Sequence, residues 1–150
     1  MLKISYLTEK FYKFYNFESY PEVLQNEDRP YIVWLIKIEK NTFGIPFRTN
    51  IGHKNCYKFK KSKRETQKST GLDFSKAVIL NNEAYIGADA NIDNYEYSEL
   101  DSKKDHIFKR FEKYVKNYIK YIKNNNKMLL DWKYKYSTLM YFHDELGLTE

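Results

Sequence analysis

Apolar positions change their period twice along the chain. Residues 2–17 open with a short apolar-alternating stretch and then turn helical, with Leu7, Phe11, Phe14 and Tyr15 on one side. Thr8 is placed to cap that helix, because its hydroxyl can accept a free backbone N–H. Residues 19–29 read as a polar loop containing Pro21, closed by Pro30. Tyr31-Ile32-Val33-Trp34-Leu35-Ile36-Lys37-Ile38 is β-branched and aromatic and apolar on both faces up to Lys37, which predicts a central strand. A hairpin turn is expected at Asn41-Thr42. A returning strand follows over residues 43–47, with Pro46 near its end or at an edge.

Shorter strands are predicted over residues 56–59, 74–80 (through Ala77-Val78-Ile79-Leu80) and 84–86, with Asn81-Asn82 as a turn. Residues 60–70 are basic and polar with nothing to bury, and residues 88–100 are acidic and turn-like. From Asp101 the period becomes helical through Ile107, Phe111, Tyr114, Val115, Tyr118 and Ile122, capped by Asp101 or Ser102. Asn124-Asn125-Asn126 breaks or kinks this helix. A second helical pattern then runs over residues 128–146 to Gly147. Strands first and long helices after define an α+β class: a twisted antiparallel sheet or small half-open barrel with added helices and a long helical C-terminal part.

The chain has 150 residues, enough for one domain, 1–150. Aromatic residues make up 18%, which argues against intrinsic disorder. The single cysteine, Cys56, excludes a disulfide framework and a thiolate zinc cluster. The five glycines form neither a dinucleotide fingerprint nor a phosphate-binding loop. The first ten residues carry an acid and no long apolar stretch, so no signal peptide is expected, and no apolar run is long enough to cross a bilayer. A cytoplasmic protein is the resulting expectation.

The net charge of +6 favours a polyanionic partner. Lys, Asn, Ile, Tyr and Phe all have A/T-rich codons, so the position of the charges says more than their number. Lys109, Lys113, Lys116, Lys120, Lys123 and Lys127 step by four and three. At roughly 100° per residue they fall within an arc of about 80°, opposite Ile107, Phe111 and Tyr118. Such a row can track a phosphate backbone, although an amphipathic helix needs a polar outer face in any case. Lys60, Lys61, Lys63 and Arg64 form a second basic group, and Lys76 lies beyond it. Near the N-terminus, Lys10-Phe11-Tyr12-Lys13-Phe14-Tyr15 interleaves cations with rings that either stack on unpaired bases or pack inward.

The densest chemistry lies in Arg48-Thr49-Asn50-Ile51-Gly52-His53-Lys54, leaving the second strand as a loop. Metal-free cleavage of RNA requires a proton to leave the 2′-oxygen, one to reach the 5′-oxygen, and the phosphorane charge to be neutralised. An imidazole is the side chain ordinarily suited to proton transfer near neutral pH, which makes His53 the candidate for both transfers. Arg48 and Lys54 suit the non-bridging oxygens. Thr49 and Asn50 can hydrogen-bond the phosphate or the 2′-hydroxyl. No clustered acids offer a two-metal site, so neither metal nor cofactor is expected.

Three blocks carry a resemblance. They are Arg29-Pro30-Tyr31 leading into Ile-Val-Trp-Leu-Ile, then Gly44-Ile45-Pro46-Phe47-Arg48-Thr49-Asn50-Ile51-Gly52-His53-Lys54, then Gly71-Leu72-Asp73-Phe74-Ser75-Lys76-Ala77. In order and length the chain resembles the endoribonuclease toxins of type III toxin–antitoxin systems, the ToxN/AbiQ/TenpN/CptN group, with the CptN/TenpN branch nearest. The resemblance implies a fold similar to the MazF/Kid toxins. It also implies metal-independent cleavage to a 2′,3′-cyclic phosphate and a 5′-hydroxyl, acting on cellular or phage RNA. The implied inhibitor is a pseudoknot RNA antitoxin that the toxin cuts from a repeat precursor, in a closed head-to-tail assembly, with phage defence as one role. Residue by residue, Thr49 falls on the group's active-site serine and keeps the hydroxyl. Arg29 corresponds to a lysine before the strand, and Tyr12 to a tyrosine of the N-terminal helix. Ile51 stands where the group has a lysine, which leaves His53 or Lys54 to substitute. Asp73 and Lys76 are weighed as site neighbours against a turn aspartate and a surface lysine.

Two other readings stand beside this one. A non-catalytic RNA-binding module would use the same loop without turnover. A MazF/Kid-like scaffold that poisons a protein target such as gyrase would bind without the salt dependence of phosphate contacts.

Overall fold

Among the described residues seven short strands build one antiparallel sheet, and the most apolar of them lies inside it. The computed structural model describes residues 1–25, 31–62 and 70–149. β1 (Ile4–Leu7) and β3 (Asn41–Thr49) pair with the two edges of β2 (Ile32–Ile38), and consecutive Val33, Trp34 and Leu35 are all buried, so both faces of this strand are covered, as its apolar sequence requires. β4 (Cys56–Lys58), β5 (Thr70–Asp73), β6 (Val78–Ile79) and β7 (Ile86–Asp89) complete an order β4-β5-β3-β2-β1-β7, with β6 paired to β3. The terminal strands β4 and β7 do not pair, so the sheet stays open instead of closing into a barrel. The α+β class with an antiparallel sheet and a helical C-terminal part is therefore observed.

β3 is longer than its apolar core suggests. The hairpin turns at Glu39-Lys40, with Glu39 at φ 54, and not at Asn41-Thr42. Asn41 is instead paired with Ile38, and its buried side chain donates to the Glu145 carbonyl at 2.9 Å. Pro46 sits inside β3, opposite Val33. The other edge of β3 pairs with β6 through Gly44 and with β5 from Phe47 onward. Pro46 falls in the gap between those partners, where its missing N–H costs little.

Other boundaries also depart from the apolar pattern. Residues 70–73 form β5, a strand the sequence conceals because Thr-Gly-Leu-Asp has no apolar run. The expected strand over 74–80 is a 3-10 turn, Phe74–Lys76, capped by the Asp73 carboxylate, and only Val78–Ile79 pairs with β3. Residues 83–85 likewise form a 3-10 turn, capped by Asn82, and the strand begins at Ile86.

Thr8 caps α1 (Glu9–Phe14) as expected, accepting the Phe11 N–H at 3.3 Å. α2 runs Asn94–Lys123, starting earlier than Asp101 because Asp93 accepts the Tyr95 and Glu96 N–H groups. Its first turns hide from the pattern because Glu96, a charged residue, occupies the buried face together with Leu100. Phe111 packs edge-on against Phe43 and Phe74 at 5.2 and 5.4 Å, which seats α2 on the sheet. Asn124 ends α2, Asn125 adopts φ 52, and Asn126 caps α3 (Lys127–Lys133). The helix expected over 128–146 stops at Lys133. Ser137 starts a 3-10 turn, Thr138–Tyr141, and the buried Thr138 hydroxyl binds the carbonyls of Ser75 and Ala77. Among the described residues no helix is long and apolar enough to cross a membrane.

Candidate active site

β3 and β5 each deliver one half of a charged cluster. Cross-strand pairing sets Gly71 between Arg48 on β3 and Lys58 on β4, and Asp73 beside Cys56. Because alternate residues of a strand share a face, Arg48, Gly71, Asp73, Cys56 and Lys58 lie on one side of this part of the sheet. Asn50, in the left-handed region at φ 60, turns the chain out of β3; asparagine tolerates that conformation better than most residues. Ile51, only 4% exposed, anchors the loop, and His53 comes back toward the sheet.

The centre of the cluster is Asp73, whose side chain is 0% exposed. Its Oδ2 accepts from Arg48 Nη1 at 2.7 Å. Its Oδ1 accepts from the Ser75 hydroxyl at 2.6 Å and the Ser75 backbone N–H at 3.0 Å. His53 Nε2 stands 3.2 Å from Oδ1 and 3.3 Å from Oδ2. A buried carboxylate is tolerated only when paired and hydrogen-bonded, and here both conditions hold. The partners are less buried: the side chains of Arg48 and His53 are 28% and 37% exposed. One buried anion thus braces two groups that reach solvent.

Hydrogen bonding fixes the tautomer of His53. The Asn55 backbone N–H donates to Nδ1 at 3.1 Å, so in the neutral ring the proton sits on Nε2, facing Asp73 and Ser75. Ser75, His53 and Asp73 do not form a nucleophile relay. In such a relay the acid and the serine occupy opposite ring nitrogens. Here both face Nε2, and the buried Ser75 hydroxyl donates to the carboxylate. One N–H of Arg48 is committed to Asp73, and its other donors take no partner among the described residues. Neighbouring Cys56 is buried, which pushes its thiol pKa up, while Lys58 acts in the opposite sense. That thiol is no ready nucleophile.

The expected site residues separate into those the fold gathers and those it disperses. Arg48 and His53 meet on Asp73, and Lys54 is exposed next to His53. Thr49 alternates to the opposite face of β3, cross-paired with Thr70, so its hydroxyl does not join the Arg48 side. Asn50 is exposed at the turn. The Tyr12 hydroxyl is buried beside the Tyr31 backbone without meeting hydrogen-bond geometry, and no contact joins it to Arg48, His53 or Asp73. Arg29, Lys63 and Arg64 lie outside the described residues. Lys76 is not a free cation: its ammonium binds Glu22 at 2.6 Å and the Tyr136 carbonyl at 2.9 Å.

Lys109, Lys113, Lys116, Lys120 and Lys123 do form an exposed row on α2, opposite its buried face. Lys116 pairs with Glu112 at 3.5 Å, and Lys127 belongs to α3 beyond the asparagine turn, which ends the row. The row faces away from the sheet that carries Arg48, with a helix diameter of about 10 Å between them. Lys60 binds Glu99 through its backbone N–H at 2.8 Å, and the Lys61 ammonium lies 4.0 Å over the Tyr95 ring. Of the N-terminal rings, Phe11 and Tyr15 are core, whereas Phe14 is 54% exposed.

Asp73, Ser75, Asn55 and Lys58 complete the neighbourhood. Asp73 reads in the sequence as a turn aspartate, which it also is; the cue for Ser75 is the Asp-x-Ser spacing of a capped turn. Among the described residues no group of three or more His, Cys, Asp or Glu side chains is placed to hold a metal ion. Compared with known proteins, the chain matches no family model, no curated protein and no solved structure.

Proposed function

We propose that this chain is a metal-independent endoribonuclease, acting as the toxin of a type III toxin–antitoxin system in the cytoplasm. One observation carries the reading: Arg48 and His53, both reaching solvent, are braced on the same buried carboxylate of Asp73. In this mechanism a 2′-oxygen attacks the adjacent phosphorus and the bond to the 5′-oxygen breaks, leaving a 2′,3′-cyclic phosphate and a 5′-hydroxyl. Arg48 and Lys54 hold the non-bridging oxygens. His53 moves the protons, and the contacts it has to give up are long ones, 3.1 Å to Asn55 and 3.2–3.3 Å to Asp73. An RNA antitoxin cut from a repeat precursor would occupy the same surface.

The test is cleavage of a defined oligoribonucleotide in the presence of a chelator, with the product ends identified. His53→Ala is expected to lower the rate about 100-fold or more, the usual contribution of a proton-transferring side chain. Activity that needs added magnesium would contradict the mechanism, and an unchanged rate would remove His53 from it. Co-expression of short tandem repeats from upstream of the coding sequence is expected to relieve growth arrest.

A second reading has its own support. Both ring nitrogens of His53 are engaged, and Arg48 is neutralised by Asp73, as suits a module that holds RNA without cutting it. Tight RNA binding by the parent protein with no cleavage product would establish that alternative.

A further inference from the structure

Three of the five most exposed large hydrophobic side chains among the described residues fall within nine positions of one another; the other two are Met1 and Phe17. Trp132 is 79% exposed, Met128 77% and Tyr136 61%, all on α3 or just after it. Met128 and Trp132 are one helical turn apart and share the outer face of α3, while Leu130 packs inward against the core. The only other tryptophan, Trp34, is 4% exposed. An indole left in water is costly unless something covers it in use.

This patch is tied directly to the candidate site. The Asn55 side chain donates to the Lys133 carbonyl at 2.9 Å, while the Asn55 backbone N–H holds the His53 ring at 3.1 Å. Trp132 is therefore the neighbour of a residue whose carbonyl is fixed, through Asn55, to the turn that carries His53. Tyr136 is anchored from the other side, its carbonyl accepting from Lys76 at 2.9 Å. The surroundings are cationic: Lys127, Lys133 and Lys135 lie on the same short segment against one acid, Asp131. The Lys135 ammonium sits 5.4 Å from the Tyr136 ring centre. An uncovered indole with ammonium groups on the same short segment matches a base flanked by phosphates. Such a segment matches a second copy of this basic chain poorly, because its lysines would be brought together.

We propose that Trp132 is a stacking platform for an unpaired base of a single-stranded RNA whose backbone crosses the Arg48–His53 site. This rests on the reading of that site as RNA-directed. Lys133 and Lys135 hold the phosphates on either side of the stacked base. A base in a duplex is already stacked on both faces, so the platform selects single strands.

The experiment uses the full chain and an oligoribonucleotide carrying 2′-O-methyl groups throughout, which cannot be cleaved. Tryptophan emission is followed with acrylamide as quencher, which reaches exposed Trp132 and not buried Trp34. Single-stranded RNA is expected to quench the accessible indole and shield it from acrylamide, and a duplex of equal length is not. Trp132→Ala is expected to weaken single-strand binding about 5- to 150-fold, the range for loss of one stacked base. Trp132→Phe keeps most of the affinity. Because the side chain is 79% exposed, the melting temperature of either variant is expected to stay that of the parent. RNA binding that persists without quenching, or that Trp132→Ala leaves intact, overturns the platform and spares the site. Absence of RNA binding altogether overturns both. A dimer or vesicle association abolished by Trp132→Ala, with RNA affinity unchanged, assigns the patch to a protein or membrane partner and also overturns the proposal.

Discussion

Asp73 shows how one side chain can do several jobs. Its carboxylate caps the 3-10 turn at Ser75, neutralises Arg48 and faces His53, all from a position with no solvent contact. Removing it leaves a partly buried guanidinium and a backbone N–H without acceptors. Asp73→Ala is expected to cost about 3–5 kcal/mol, the usual penalty for breaking a buried ion pair from one side. Urea denaturation measures this, and a loss below about 1 kcal/mol would mean that Arg48 finds solvent or another partner without strain. At this scale the chemistry was half legible. Arg48 and His53 stand out by residue type and by their position after a strand. Nothing local marks Asp73 as their common partner, because the three meet only when β5 pairs with β3.

At the level of elements, the pairing of β4 with β5 sets the site, and Gly71 permits it. A Cβ on residue 71 would lie 2.1 Å from the Tyr57 carbonyl oxygen, and that oxygen belongs to backbone that cannot swing aside. Gly71→Ala is expected to force β4 away from β5 and to displace the 50–55 turn with it. Over-filling of this kind typically costs about 1–3 kcal/mol. Thermal denaturation and the RNA cleavage assay together check it, and unchanged values in both would mean that the strands can part without disturbing His53. The helices teach a different lesson. The periodicity located the core face of α2 correctly, yet missed its first turns because Glu96 stands among the apolar positions. The single helix expected after the asparagines was divided by the burial of Ser137 and Thr138, whose hydroxyls bind Tyr114, Ser75 and Ala77.

Across the whole molecule, several tyrosines are buried in the interior, and their ionisation gives a property of the complete fold. Burial pushes the phenol of Tyr57 up to about 12, helped by its hydrogen bond to Glu99, and burial alone does the same for Tyr118. Burial also raises Tyr15, Tyr114 and Tyr134. In the unfolded chain these groups titrate near 10. Between about pH 10 and 12 the unfolded state has therefore released protons that the folded state retains, so stability falls as pH rises through that window. The urea midpoint is expected to be flat just below pH 10 and to decline steadily above it. A midpoint that holds to pH 12 would mean that these hydroxyls ionise freely in the native protein.

Composition and periodicity by themselves determined the α+β class, the central strand, the cap at Thr8, the break at Asn124-Asn125-Asn126 and the lysine row, because each depends on neighbours a few positions apart. Only the tertiary structure decided which charges meet. It joined Arg48 and His53 through Asp73, turned Thr49 to the other face, neutralised Lys76 with Glu22, and set Trp132 in water beside the turn that holds His53. The physical reason is range: propensity and amphipathic pattern act within a strand or a helical turn, whereas a buried ion pair forms wherever strand register and desolvation bring distant residues together.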